Sequence, residues 1–142
     1  MKPSPNTKAV NKKAHFNYDL KEDLEAGIVL TGLEIKAIRD KKVDLTGSHV
    51  KIIGNEAFLL GSKITWPGLE VDRTRKLLLH KEQISRLIGL SSEKGLSIIP
   101  LKIYLKKGRA KILISTGKGK KLFDKREDLK KKDLQREQQR NF

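Results

Sequence analysis

The chain has 142 residues, 37% of them hydrophobic and 35% charged, enough for one modest core and without a run of the ~18 apolar residues that a spanning helix needs. Its 32 Lys and Arg against 17 Asp and Glu give a net charge of +15 and a pI near 10.1, an imbalance that burdens a compact chain and points to a polyanionic partner. The absence of cysteine excludes disulfides and thiolate metal sites, and the first fifteen residues lack the apolar stretch of a signal peptide, so a soluble cytoplasmic protein is expected.

The charge is concentrated at the ends. Residues 1–13, with Pro3 and Pro5, carry four basic groups and no acidic one, and read as a disordered basic arm. From Ala14 to about Thr31 the pattern favours strand: Phe16, Tyr18 and Leu20 alternate, a polar stretch from Lys21 to Glu25 follows, and Ile28-Val29-Leu30 closes the segment. Leu33, Ile35, Ala37 and Ile38, interleaved with Glu34, Lys36 and Arg39, have the spacing of a short amphipathic helix starting near Gly32.

Val50 to Ile53, Gly54-Asn55 and Ala57 to Leu60 predict a β-hairpin with a tight turn. Residues 61–74, with Gly61, Trp66, Pro67 and Gly68, predict a loop leading into the apolar run Leu77-Leu78-Leu79. A second helix is expected from about His80 to Leu90, with Gly95 as its stop. A second hairpin is expected over Leu96 to Ser115, turning at Lys107-Gly108-Arg109, with Pro100 at an edge or a bulge.

These elements predict a mainly β fold: a small, partly open OB-type antiparallel β-barrel over 14–118 with two short α-helices, a split β-α-β sandwich being the alternative. Residues 119–142 form a basic C-terminal tail with ten basic and five acidic groups over 118–142 and few apolar ones. Glu127–Lys131 and Asp128–Lys132 have helical i, i+4 spacing, so the tail is expected to be disordered when free and helical on a partner.

Chemistry-bearing motifs are sparse. His15, His49 and His80 have no metal-ligand spacing, no nucleophile motif occurs, and Gly117-Lys118-Gly119-Lys120-Lys121 lacks the remainder of a P-loop. No catalytic residue, cofactor, metal or small-molecule substrate is expected. The clusters that stand out are cationic. Arg73, Arg75 and Lys76 crowd one loop, where two guanidinium forks can grip phosphates. Arg109 and Lys111 flank a hairpin turn, and Gly119-Lys120-Lys121-Leu122-Phe123-Asp124-Lys125-Arg126 is the densest run. Phe16, Tyr18 and Phe123 lie among cations, where a ring can stack on a base, although strand packing is the plainer account of Phe16 and Tyr18.

Five strings in order carry a resemblance: Glu25-Ala26-Gly27, the segment Gly32 to Arg39, Asp72 to Lys81 (DRTRKLLLHK), Gly108 to Lys111 (GRAK), and Gly119 to Glu127 (GKKLFDKRE). Together they resemble the SsrA-binding protein family (small protein B), from about Asn11 to Arg140. The resemblance implies an OB-type barrel with a flexible tail that binds tmRNA, an RNA part tRNA and part message, and the ribosome. It implies that Glu25, Leu78 and His80 meet the tRNA-like half, with Lys36 and Arg39 of the helix motif counted among the RNA contacts. It implies that Gly119, Lys120, Lys121, Phe123, Asp124, Lys125 and Arg126 enter the decoding centre and the empty message channel. Asp72 lacks the Pro that usually follows it in the family, and Lys63 replaces a common His. The rival readings are a general structured-RNA or ribosome-binding barrel and a nuclease using Glu25 with His80; membrane binding by the tail is disfavoured because it has no apolar face.

Overall fold

Alternating apolar and polar residues drive most of the chain into strands. The computed structural model, which describes residues 6–92 and 95–120 together with 126, 129 and 130, joins them antiparallel. The elements run β1 (Thr7–Val10), α1 (Ala14–Asn17), β2 (Tyr18–Ile28), α2 (Gly32–Arg39), β3 (Val43–Asp44), β4 (His49–Ile53), β5 (Glu56–Leu60), β6 (Lys63–Ile64), β7 (Arg75–Leu78), α3 (Lys81–Ser91), β8 (Leu96–Lys106) and β9 (Arg109–Gly119). In the main sheet the order is β1-β8-β4-β5-β7-β2-β9, and a further pairing of β8 with β9 closes the ring. Six strands therefore form a closed barrel, with β1 outside it on the edge of β8, where a partly open barrel was expected. Closure removes the exposed edges that invite strand addition.

The hairpins form for the reasons their turns suggested. Gly54 and Asn55 both have positive φ (55° and 63°), the conformation that a two-residue turn demands and that Gly and Asn adopt at low cost. Pro100 lies at a register shift between β8 and β9, the bulge open to a residue that cannot donate to the ladder. Asn11 stitches this bulge: its N–H donates to the Leu101 carbonyl (2.7 Å) and its Nδ2 to the Pro100 carbonyl (2.9 Å).

Five boundaries differ from the expectation. Thr7 to Val10, assigned to the disordered arm, pair with Tyr104, Ile103 and Lys102 of β8, because a short strand with a buried Thr7 finds a free edge there. Ala14 to Asn17 form one helical turn instead of the start of a strand, leaving three helices where two were expected. The polar stretch from Lys21 to Glu25 does not interrupt β2, which accommodates it with a register shift between Leu20 and Asp23. The loop over 61–74 contains β6, which pairs with β3. Gly119, placed in the tail, is the last residue of β9 and pairs with Tyr18.

Inside the barrel, Ala26, Ile28, Leu59, Leu77, Ile112 and Ile114 are buried with Ile38 of α2 and Leu87 of α3. A second, smaller cluster of Ala14, Ile99 and Leu101 packs with Tyr18, Leu20 and Leu113. Sequence alternation divides the two, since Ile112 and Ile114 belong to one and Leu113 to the other.

A buried ionic cluster ties α2 to β7. Thr31 and Glu34 form a capping box: the Glu34 N–H donates to Thr31 Oγ1 (3.3 Å) and the Thr31 N–H to Glu34 Oε1 (2.9 Å). Glu34 is fully buried and also accepts from Arg73 through Oε1 and from Arg75 Nε through Oε2 (2.7 Å). Arg75, equally buried, gives its remaining donors to the Ser62 carbonyl (3.1 Å) and hydroxyl (3.3 Å) and to the carbonyls of Glu70 (3.3 Å) and Val71 (3.0 Å). No buried side-chain nitrogen or oxygen among the described residues lacks a partner. Burial raises the Glu34 pKa, but hydrogen bonds from Arg73, Thr31 and Arg75 and the Arg75 charge outweigh it and hold the carboxyl down to about 2.

Arg75→Ala leaves a buried carboxylate short of its fully buried partner and is expected to destabilise the fold by about 3–5 kcal/mol, read as a fall in the urea midpoint. Arg73→Ala removes a charged hydrogen bond whose guanidinium end is partly exposed and whose place water can take, and is expected to cost less, about 1.5–3 kcal/mol. Because the folded-state pKa of Glu34 lies below its unfolded value, its contribution is present above the unfolded value and is lost as pH falls from about 4.5 towards about 2. Equal stability of wild type and Arg75→Ala would contradict this account.

Candidate nucleic-acid interface

The register aligns one row of residues across four strands. Tyr104 of β8 pairs with Lys111 of β9, Lys111 with Gly27 of β2, and Gly27 with Leu78 of β7. Their neighbours Ile103, Ile112, Ala26, Ile28 and Leu77 are buried in the core, so the row lies on the outer face. At ~4.8 Å per strand spacing it is ~14 Å long. It offers in turn an aromatic ring, a cation, a bare glycine and an aliphatic side chain.

Three adjoining depressions lie along this row, and Lys111 lines all of them. The first, about 390 Å³, is lined by Glu25, Gly27, Leu78, Leu79, His80, Gln83 and Lys111. The second, about 380 Å³, lies between Glu25 and four cations: Lys106, Lys107, Arg109 and Lys111. The third, about 220 Å³, adds an apolar wall of Ile28, Leu30 and Ile35 beside Leu78. Such a groove suits a polyanion whose phosphates meet the cations while sugar or base faces rest on the apolar end.

Glu25 stands apart as the acidic side chain lining this groove. Tyr104 Oη donates to its Oε2 (2.5 Å), and Lys106 Nζ lies 3.6 Å from Oε1. The Tyr104 hydrogen bond, assisted by Lys106 and Lys111 against a smaller opposing effect of burial, lowers the pKa of this carboxyl. Burial, followed by the bond and charge of Glu25, raises the Tyr104 phenol, which widens the gap between phenol and carboxylate that already exists at neutral pH.

Of the expected RNA contacts, Glu25, Leu78, His80, Arg109 and Lys111 come together here although they are far apart in the chain. Lys76 lies two residues before Leu78 on β7 and pairs with Glu56 (3.3 Å), both ends exposed. His80 is the N-cap of α3, where its N–H donates to Gln83 Oε1 (2.9 Å). Lys36 and Arg39 are exposed on α2 and are not among the residues lining the groove.

Arg75 is not available to RNA. Its guanidinium is fully buried and engaged with Glu34, Ser62, Glu70 and Val71, which corrects its assignment as a phosphate contact. Arg73 is partly exposed but bonded to Glu34. Tyr18 packs in the second cluster, as strand packing would have it, and Phe16 is half-buried in α1; neither ring reaches the groove. Lys120 donates its N–H to the Asn17 carbonyl (2.9 Å), and Arg126 is exposed. Lys121, Phe123, Asp124 and Lys125, with the expected disorder and induced helix of the tail, lie outside the described residues.

Tyr104, Gly27 and Lys106 escaped the sequence reading. A signal was present: counting outward from the Lys107-Gly108 turn pairs Lys106 with Arg109 and Tyr104 with Lys111, and strand alternation sends Tyr104 to the same side as Lys111. Among the described residues no group of three or more His, Asp or Glu is placed to hold a metal ion, and no helix is long and apolar enough to cross a membrane.

A closed barrel carrying a cationic groove with an apolar end defines a nucleic-acid-binding protein. A family model described as "SmpB protein" matches residues 8–142. The chain belongs to the SmpB family, the family that the five ordered motifs resembled. It is 53% identical over 141 residues to the SsrA-binding protein of Bacillus pumilus (strain SAFR-032), covering 93% of this chain and 88% of that one. It is 50% identical to that of Bacillus subtilis (strain 168), with the same coverage, and 48% identical to that of Lactobacillus gasseri (strain ATCC 33323), covering 94% and 93%. A solved structure described as "tmRNA-SmpB: a journey to the center of the bacterial ribosome" superposes with a TM-score of 0.65 at 40% identity, over 80% of this chain and 84% of that one.

Gly27 keeps the row open, since an added Cβ would stand 3.2 Å from Leu78 Cβ. Gly27→Val is expected to displace Leu78 and weaken RNA binding several-fold, while the strand tolerates the branched residue within about 1 kcal/mol. A gel-shift titration beside a urea melt checks both, and unaltered RNA affinity would contradict the placement of the interface.

Proposed function

We infer that this chain binds the tRNA-like domain of tmRNA and delivers it to stalled ribosomes in trans-translation, rescuing them and allowing incomplete proteins to be tagged. The observation that carries this reading is the convergence of Glu25, Leu78, His80, Arg109 and Lys111 on one groove of a chain in the SmpB family. The role is that of a binding protein and not of an enzyme: the groove's cations meet backbone phosphates, and its apolar end meets a sugar or base face. Magnesium-dependent incubation with the RNA is expected to leave it intact.

The C-terminal segment is the second working part of this proposal, entering the decoding centre and the empty message channel. The path of β2 supports a division of labour. Gly119 pairs with Tyr18 at one end of β2, and Lys111 with Gly27 near the other. At ~3.3 Å per residue, the nine steps from Tyr18 to Gly27 span ~30 Å of strand. The root of the tail is thus well separated from the groove, so one protein can hold tmRNA at one end and enter the ribosome from the other.

Binding to the tRNA-like domain is expected to weaken steeply with salt, and Lys111→Ala or Arg109→Ala should each lower the log–log slope by about 0.7–0.9, one phosphate contact's worth. An unchanged slope in both variants would contradict the phosphate assignment. Truncation after Lys120, which spares the last residues of β9, is expected to leave tmRNA affinity within about twofold, because the groove keeps its RNA contacts. The same truncation should abolish tagging in a reconstituted translation assay, and loss of both activities together would overturn the two-ended reading.

A further inference from the structure

A carboxylate in the middle of a cationic groove repels the phosphates the groove attracts, so a surface built for phosphates alone would do better with a neutral residue at position 25. Glu25 is exposed, yet it is held in one place. Tyr104 reaches it from β8 across the intervening strand β9, past Lys111, to donate to Oε2. The ring of Tyr104 is itself steadied, with Lys102 Nζ 5.5 Å from its centroid and the strand paired to Thr7 on its other side. Oε1 lies 3.6 Å from Lys106 Nζ, too long for a strong bond, and the two oxygens of a carboxylate can together accept about four donors.

We propose that Tyr104 is a positioning residue that fixes the Glu25 carboxylate as an acceptor for a hydroxyl or amino donor of the bound RNA. A phosphate offers no such donor; a ribose 2′-hydroxyl and the amino group of a base edge do. An exposed glutamate on a strand would otherwise be ordered only on binding. The phenol orders it beforehand and, protonated at neutral pH as phenols ordinarily are, remains a donor. The cations around the acid then attract the backbone, while the acid selects where along the backbone the RNA settles. This inference rests on the groove being the RNA site.

Tyr104→Phe retains the ring and removes the donor. It is expected to weaken binding of the tRNA-like RNA about three- to tenfold, with the salt slope unchanged because no phosphate contact is lost. The Glu25 side-chain carboxyl, followed by NMR, should titrate at higher pH in this variant; Lys106, Lys107, Arg109, Lys111 and His80, the other charged or titratable groups around it, are unaltered. Combining Tyr104→Phe with Glu25→Ala should bind no more weakly than Glu25→Ala alone.

The two donor sources separate by nucleotide substitution in the RNA: interference by a 2′-deoxy nucleotide marks a ribose hydroxyl, and interference by inosine for guanosine marks a base amino group. Either interference should vanish with Glu25→Ala. Wild-type affinity in Tyr104→Phe, additive losses in the double variant, or interference that persists without Glu25 would overturn the proposal. Failure of the groove reading itself would look different: Lys111→Ala and Arg109→Ala would then leave both affinity and salt slope at wild-type values.

Discussion

The geometry of the groove depends on one buried acid. Glu34 accepts hydrogen bonds from Thr31, Arg73 and Arg75, and through them joins the start of α2, the loop over 61–74 and the first residue of β7. Strand β7 has only two registered pairs with β2, Gly27–Leu78 and Ile28–Leu77, a short seam by which to close a barrel. Arg75 anchors the strand three residues before Leu78. Its guanidinium is oriented by four further acceptors, so the register of β7 is determined from both ends. Slippage by one residue would turn Leu78 into the core and Leu77 onto the surface. The ionic cluster lines none of the three depressions, but it helps determine which leucine the groove presents.

That cluster also explains why the sequence was read correctly in its class and incorrectly in one of its parts. Arg73, Arg75 and Lys76 are identical in kind to a phosphate-binding run, and nothing local distinguishes a guanidinium facing solvent from one facing a glutamate 41 positions earlier. Alternation held the answer, since Arg75 and Leu77 are buried while Lys76 and Leu78 are exposed. The hairpins were legible because their determinants are local, Gly54-Asn55 and Lys107-Gly108. Strand β1 was not, because Thr7 to Val10 become a strand only when the edge of β8 is offered to them. The helical turn at Ala14 to Asn17 was hidden similarly: the alternation of Phe16, Tyr18 and Leu20 fits a strand, and the buried Ala14 docking on Ile99 and Leu101 decides otherwise.

Arg109 and Lys111 stood out as cations beside a turn, whereas Glu25, Leu78 and His80 were legible as RNA contacts only through resemblance. Glu25, Leu78, His80, Arg109 and Lys111 belong to three separate motifs, and no periodicity in the chain announces that they meet. The barrel brings them together because β9 and β7 flank β2 on its two sides. Net charge pointed to a polyanion, but the groove adds what charge cannot: an apolar end at Leu30 and Ile35, and an oriented acid among cations. Attraction and selection are thereby given to different side chains on one face. The C-terminal segment leaves from the far end of the same sheet, anchored by the bond from Lys120 to Asn17.

The absence of cysteine makes the central claim, two working ends on one barrel, open to a direct measurement. A single cysteine placed at Lys107 beside the groove, or at Lys120 at the root of the tail, can carry a tethered iron chelate that cleaves nearby RNA. In the binary complex with tmRNA, the probe at 107 should cut the tRNA-like domain and the probe at 120 should leave it intact. On the stalled ribosome the probe at 120 should cut ribosomal RNA near the decoding centre. Equal cleavage of the tRNA-like domain from both positions, or cleavage from 120 alone, would contradict the account.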